Sequence, residues 1–129
     1  MLRLTAVLLL ALASLPASFV YAADATKGAQ IFKKCAVCHA IGPNATTKVG
    51  PELNGIVGRP AGSIADYPYS DAMRNAGLTW DEATLRTYIH NPKAVVKGTK
   101  MAFPGIKGDS DVDDLIAYLE TFDATGGSR

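Results

Sequence analysis

Apolar residues recur at Val112, Leu115, Ile116, Leu119 and Phe122, the three- and four-residue intervals of one helix face. Ser110 stands ahead of them as the N-cap of the helix this predicts, with Asp111, Asp113 and Asp114 at its positive end. A second helix is predicted from Lys27 to about His39, where Gly28, Phe32 and Cys35 share a face. A third opens at Thr79-Trp80-Asp81-Glu82, which reads as a capping box with Thr79 as N-cap and Glu82 reaching back. It runs to His90 and is ended by Asn91-Pro92. Ser70 to Asn75 reads as a short helix stopped by Gly77, and Lys93 to Asp109 as loop. The stretch from Ile41 to about Pro68 carries "GPN", "VGPELNG" and "VGRPAG" and keeps neither a strand nor a helix period. Structureless loops this long are uncommon in compact domains, so something other than backbone hydrogen bonding must organise it. No convincing strand appears. The fold class read from the pattern is all-α, with three main helices and wrapped loops.

The N-terminus follows a different logic. Arg3 precedes an apolar run from Leu4 to Leu15, too short for the roughly 20 residues of a membrane-spanning helix. Small residues follow, and Val20-Tyr21-Ala22 fits a cleavage site, so residues 1–22 read as a cleaved secretory signal peptide. The remaining residues 23–129 make one small domain. Removing Arg3 brings the 13 Lys and Arg level with the 12 Asp and Glu. A near-neutral domain argues against nucleic-acid binding, and after cleavage nothing remains to hold it stably in a membrane. The domain is also short of large core residues: Phe, Trp and Tyr number 4, 1 and 5, and Phe19 and Tyr21 leave with the leader. A large internal ligand would make up the shortage and give the loops something to wrap.

Cys35-Ala36-Val37-Cys38-His39 is the candidate for holding it. An exported chain with only two cysteines first suggests a disulfide, but that explains neither the histidine nor the missing apolar mass. Zinc needs a fuller Cys/His set than this chain has, His90 being the only other histidine. A thioredoxin-like pair belongs near a βαβ pattern, which is absent. The spacing C-x-x-C-H signals covalent haem attachment directly. On one helical turn both thiols lie on one face, and His39 lies a turn beyond Cys35, able to send its imidazole to iron.

For the opposite side of the iron the candidates are His90, Met73 and Met101, since Met1 leaves with the leader. Met101 sits in "KGTKMAFPGIKG", a Gly/Pro loop where a gap-filling core methionine would be out of place. As a thioether ligand it makes sense, and His/Met ligation raises the reduction potential. Met73 reads as core and His90 as a helix-end or surface residue.

With "CAVCH", "GPELNGIVGR", "GLTWDEATLRTYIHNPK", "GTKMAFPGIK" and "DLIAYLETF" in order, the mature chain resembles the class I c-type cytochromes, near the cytochrome c2 and mitochondrial cytochrome c branch. The resemblance implies a small cytochrome c fold around one covalently attached haem c per chain. It implies thioethers at Cys35 and Cys38, and His39 and Met101 as axial ligands. Pro51 matches the proline whose carbonyl accepts the His39 ring N–H, a bond that fixes the ring and raises its basicity. Arg59, Tyr69, Trp80 and Thr99 resemble residues that hydrogen-bond or neutralise the haem propionates, and Tyr88 the tyrosine beside the methionine sulfur. Gly28 and Phe32 match positions that pack against the C-terminal helix near Leu115 and Tyr118. Met73 departs from the pattern, at a position often asparagine in the mitochondrial branch.

With both axial positions filled and no nucleophile–base or acid pair, the expected role is one-electron transfer rather than catalysis. The expectation is a monomeric soluble periplasmic carrier between a quinol-oxidising cytochrome complex and a terminal oxidase or photosynthetic reaction centre. The second reading is a dedicated electron acceptor of one periplasmic dehydrogenase. Lys33, Lys34, Lys93, Lys97, Lys100 and Lys107 flank the ligand regions, while Asp109, Asp111, Asp113 and Asp114 gather at the last helix. This predicts a basic face steering redox partners with acidic docking surfaces.

Overall fold

The computed structural model describes Pro16 and residues 21–129. The proposed leader, residues 1–22, therefore lies outside the described residues except for Pro16, Tyr21 and Ala22. The helices are α1 (Ala25–Phe32), α2 (Asp71–Arg74), α3 (Glu82–His90), α4 (Pro92–Val95) and α5 (Asp109–Glu120). Among the described residues there is no strand, only isolated bridges between Pro60 and Thr79 and between Phe122 and Ser128. The all-α expectation, with three longer helices, is met.

Helix α1 is shorter than its apolar spacing predicts. Asp24 caps it, its carboxylate accepting from Thr26 N and Lys27 N at 2.8 and 3.2 Å. After Phe32 the chain tightens into three-residue turns, with Lys34 N donating to Ile31 O at 3.0 Å and Cys35 N to Phe32 O at 2.8 Å. His39 N still reaches Cys35 O at 2.9 Å, so Cys35 and His39 stay one helical turn apart.

The caps differ in detail from the expected ones. Asp81, not Thr79, caps α3, accepting from Thr84 N at 2.7 Å. Thr79 is engaged elsewhere: its segment is laid extended against Arg59, whose carbonyl accepts from Trp80 N at 2.9 Å. Nor does Ser110 cap α5. It lies inside the helix, whose N-cap is Gly108, with Val112 N bonding to Gly108 O at 3.1 Å. Pro92 ends α3 as expected but also starts α4, where its missing N–H costs nothing. Phe122 lies beyond the end of α5.

The core forms where α1 and α3 meet α5. Val112, Leu115, Ile116 and Leu119 are buried to within 4 % of full exclusion, and Leu85 and Ile89 of α3 face them. Phe32 meets Tyr118 with ring centroids 5.4 Å apart. Asp114, expected to serve only the positive helix end, is 2 % exposed. Its carboxylate accepts from Asp24 N at 2.6 Å, fastening the start of α1, and from the hydroxyl of Tyr21, which belongs to the proposed leader. Asp113 pairs with Arg86 of α3. Half of the acidic cluster of the sequence is therefore spent inside the fold, leaving Asp109 and Asp111 exposed.

Gly28 is where α1 crosses α5. A Cβ there would collide with the Asp114 carbonyl oxygen and stand 2.7 Å from Tyr118 Cβ. Backbone on one side of that contact cannot yield. Gly28→Ala is expected to cost about 3 kcal/mol, the upper end for overpacking, measured as a lower urea midpoint at unchanged slope. A variant within about 0.5 kcal/mol of the parent, the usual range for innocuous surface changes, would show that the crossing is looser than this.

Candidate cofactor site

A cavity of about 440 Å³ opens between the turn after α1, the loop before α2, helix α3 and the loop after α4. Its wall is mainly apolar, the usual character of a site for a large organic group. Cys35, Cys38, His39, Pro51, Arg59, Tyr69, Trp80, Tyr88, Thr99 and Met101 all border it. These are the residues singled out from the sequence, drawn together from segments far apart in the chain. His90 does not border it, whereas Met73 does.

On one wall, His39 Nδ1 lies 2.7 Å from the Pro51 carbonyl oxygen. A carbonyl can only accept, so Nδ1 carries the proton and Nε2 holds a lone pair. Burial pushes the His39 pKa down, opposed by the Pro51 bond and reinforced by the charges of Arg59 and Lys48. The ring is thus neutral near pH 7 and fit to ligate a metal. Gly50 makes the placement possible: a Cβ there would stand 2.5 Å from His39 Cε1. The segment is fastened by Gly50 N to Cys38 O at 2.8 Å and Leu53 N to Ala40 O at 2.9 Å.

Cys35 and Cys38 form no disulfide with each other. Burial pushes the Cys35 thiol up to about 11. With no strand among the described residues, the βαβ setting of a thioredoxin-like pair is missing. Among the described residues no three His, Cys, Asp or Glu side chains converge to hold a metal ion, which leaves zinc without a ligand set.

Elsewhere in the lining, Met101 is half-buried, and the Tyr88 hydroxyl points to its sulfur at 3.8 Å. Thr99 Oγ1 accepts from Met101 N at 3.2 Å and lies 3.5 Å from the Tyr88 hydroxyl. The loop beyond is tied to the end of α3. Ile106 N donates to Ile89 O at 3.0 Å, and the His90 ring holds the Ile106 carbonyl at 2.7 Å and faces Asp109 at 3.1 Å. Gly105, at φ +97°, passes against the His90 carbonyl where no side chain would fit. His90, weighed as a ligand from sequence, is thus a strap for the Met101 loop.

At the floor, Arg59 donates to the carbonyls of Glu52 and Asn54 at 2.9 and 3.0 Å. Tyr69, whose hydroxyl accepts from Ile64 N at 3.3 Å, and Trp80, stacked at a tilt 4.7 Å from Tyr88, line the same side. Gly50, Glu52 and Asn54 were not singled out from the sequence. The Asn54 side chain, in a residue 6 % exposed, bonds to both N and O of Gly42, at 2.8 and 3.0 Å, and so closes the long loop on itself. The only sequence signal for it was the position of "ELNG" inside that unexplained loop.

The family model described as Cytochrome c matches residues 25–123. A cytochrome c2 of Blastochloris viridis is 53% identical over 108 residues, spanning 84% of this chain and 85% of its own. The solved structure of cytochrome cH from Methylobacterium extorquens superposes with a TM-score of 0.71 at 48% identity, covering 76% of this chain and 98% of that one. Cytochrome c2 from Rhodospirillum centenum superposes at 0.74 with 32% identity, covering 78% and 98%. Members of this family carry covalently attached haem c. The residues here fit that group: paired cysteines, an imidazole with Nδ1 bonded to Pro51 and a thioether border one apolar cavity, beside the Arg59–Glu52 pair.

Gly50→Ala is expected to push the His39 ring off the Pro51 carbonyl and to lower the yield of haem-loaded protein several-fold. The pyridine-haemochrome content per mole of purified chain measures it. A full haem complement with an unaltered visible spectrum would show that the ring has room to spare.

Proposed function

The chain belongs to the cytochrome c family, in its cytochrome c2 branch, and on that premise we propose that it is a soluble one-electron carrier with His39 and Met101 as the axial ligands of its haem iron. The observation that carries this reading is that the lone pair of His39 Nε2 and the Met101 sulfur belong to one cavity, while His90 is committed to Ile106 and Asp109 outside it. Haem c, when bound, supplies a reversible ferric/ferrous couple. The protein's own part is to hold two ligands of fixed geometry. The Pro51 bond fixes the imidazole, and Tyr88 and Thr99 fix the methionine. Cys35 and Cys38 are proposed to anchor the haem through thioethers, and Arg59, Tyr69, Trp80 and Thr99 to receive its propionates. The family consists of electron carriers rather than enzymes, and this chain is assigned no catalytic residue.

Residues 1–22 are proposed to direct export and to be removed, placing residues 23–129 in the periplasm as a monomer. No helix among the described residues is long and apolar enough to cross a membrane. Lys33, Lys34, Lys93, Lys97, Lys100 and Lys107 are all exposed, and Lys34 and Lys100 also border the cavity. Val37 and Val49, 74 % and 75 % exposed, stand at the same opening. An apolar centre with cations around it suits brief docking to acidic redox partners. The proposed partners are a quinol-oxidising cytochrome complex as donor and a terminal oxidase or photosynthetic reaction centre as acceptor. Steady-state turnover with each purified complex separates this from service to a single dehydrogenase.

Met101→Ala is expected to abolish the far-red charge-transfer band of the ferric protein, lower its potential and admit cyanide. Met73→Ala and His90→Ala are expected to keep the band. Loss of the band in either of those, with Met101→Ala silent, would reassign the ligand.

The association rate with an acidic partner is expected to fall steeply as salt rises from 0.1 M to 1 M, where the Debye length shrinks from about 10 Å to about 3 Å. Charge reversal at Lys34 or Lys100 should slow association far more than reversal at Arg129. Stopped-flow rates flat across that range would remove the steering claim.

A further inference from the structure

Arg59 reaches the cavity already partnered. Its Nη1 lies 3.4 Å from Glu52 Oε1, with the two side chains only 13% and 18% exposed. Nη1 also donates to the Asn54 carbonyl and Nη2 to the Glu52 carbonyl. The carboxylate is held just as firmly, since Glu52 Oε2 accepts from Asn54 N at 2.6 Å. Arg59 borders the cavity, while Glu52 stands outside its wall. The pair is thus a fixed cation with a fixed anion next to it, both shielded from the ions that screen surface charge.

Such a pair is weak evidence for stability, because desolvating both charges offsets most of their attraction. What it does determine is the net charge presented to the cavity. We propose that Glu52 tunes the reduction potential of the bound haem by partly cancelling the field of Arg59. This inference rests on the haem-carrier reading above. A bare guanidinium beside the cavity would penalise the ferric state, which carries one more positive charge than the ferrous, and so raise the potential. The neighbouring carboxylate opposes that and holds the potential lower.

Glu52→Gln removes the charge while the amide oxygen still accepts from Asn54 N, although the amide nitrogen cannot accept the Arg59 Nη1 bond. At a fixed electrode poise, the ratio of ferrous to ferric protein is expected to rise on the order of three- to tenfold, the scale of one charge at short range in a partly shielded site. Tenfold corresponds to about 59 mV for a one-electron couple. Arg59→Gln is expected to shift the ratio the opposite way. The double variant restores a net charge of zero to the pair and should return toward the parent value. Spectroelectrochemical titration reads all four proteins, with the far-red band as the check that ligation is intact. An unmoved ratio in Glu52→Gln, or a shift in the same direction for both single variants, overturns the proposal while the parent couple still supports the carrier function. If Glu52→Gln accumulates no haem-loaded protein while Arg59→Gln does, the carboxylate is a folding element and the proposal also falls. A parent protein with no reversible one-electron couple would overturn the carrier reading itself.

Discussion

The bond between His39 Nδ1 and the Pro51 carbonyl does more than orient one ring. It joins the turn after α1 to a loop that has almost no regular structure of its own. Around that junction the other fastenings fall into place: Gly50 to Cys38, Leu53 to Ala40, and Asn54 to Gly42. Each satisfies buried backbone polar groups that would otherwise be costly in a loop packed against an apolar cavity. The imidazole is thereby oriented with Nε2 toward the cavity, while burial, working against the Pro51 bond, favours its neutral form.

The cavity's two walls differ in how they are built. The histidine wall is made rigid by short-range bonds within residues 38–54. The methionine wall depends on α3, which carries Tyr88 toward the sulfur and Ile89 and His90 toward the returning loop. Helix α3 in turn packs on α5 and is joined to it by the Arg86–Asp113 pair. The positions of both walls thus trace back to α5 through different helices, with Gly28 setting how closely the first of them approaches.

Much of this was legible in the sequence because it rests on periodicity or on chemically distinctive residues. The stripe from Val112 to Leu119 is a core face in the structure, and C-x-x-C-H and the Met101 loop border the same cavity. The capping residues were less legible. Thr79 and Asp81 both suit an N-cap, and the choice was made by Arg59, which draws the Thr79–Trp80 segment into extended pairing from far along the chain. Asp114 looked like a helix-dipole residue because nothing local shows that Tyr21 and Asp24 converge on it. His90 does end α3, as read, but its partners Ile106 and Asp109 were not legible because only the turn at Gly105 brings them to it. Glu52 drew no attention because a lone acid in a Gly/Pro loop has no pattern to mark it.

The strap at His90 has a mechanical consequence. The loop from Lys97 to Lys107 is anchored at its far end by a few bonds to α3, whereas α1 and α5 interlock over buried side chains and a backbone-to-backbone crossing. Regions held by few contacts open at lower free energy than the global unfolding of the domain. The loop carrying Met101 can therefore detach as a unit of its own, with the helical crossing intact. On the proposed ligation, the Met101 side of the iron would let go before the fold as a whole unfolds.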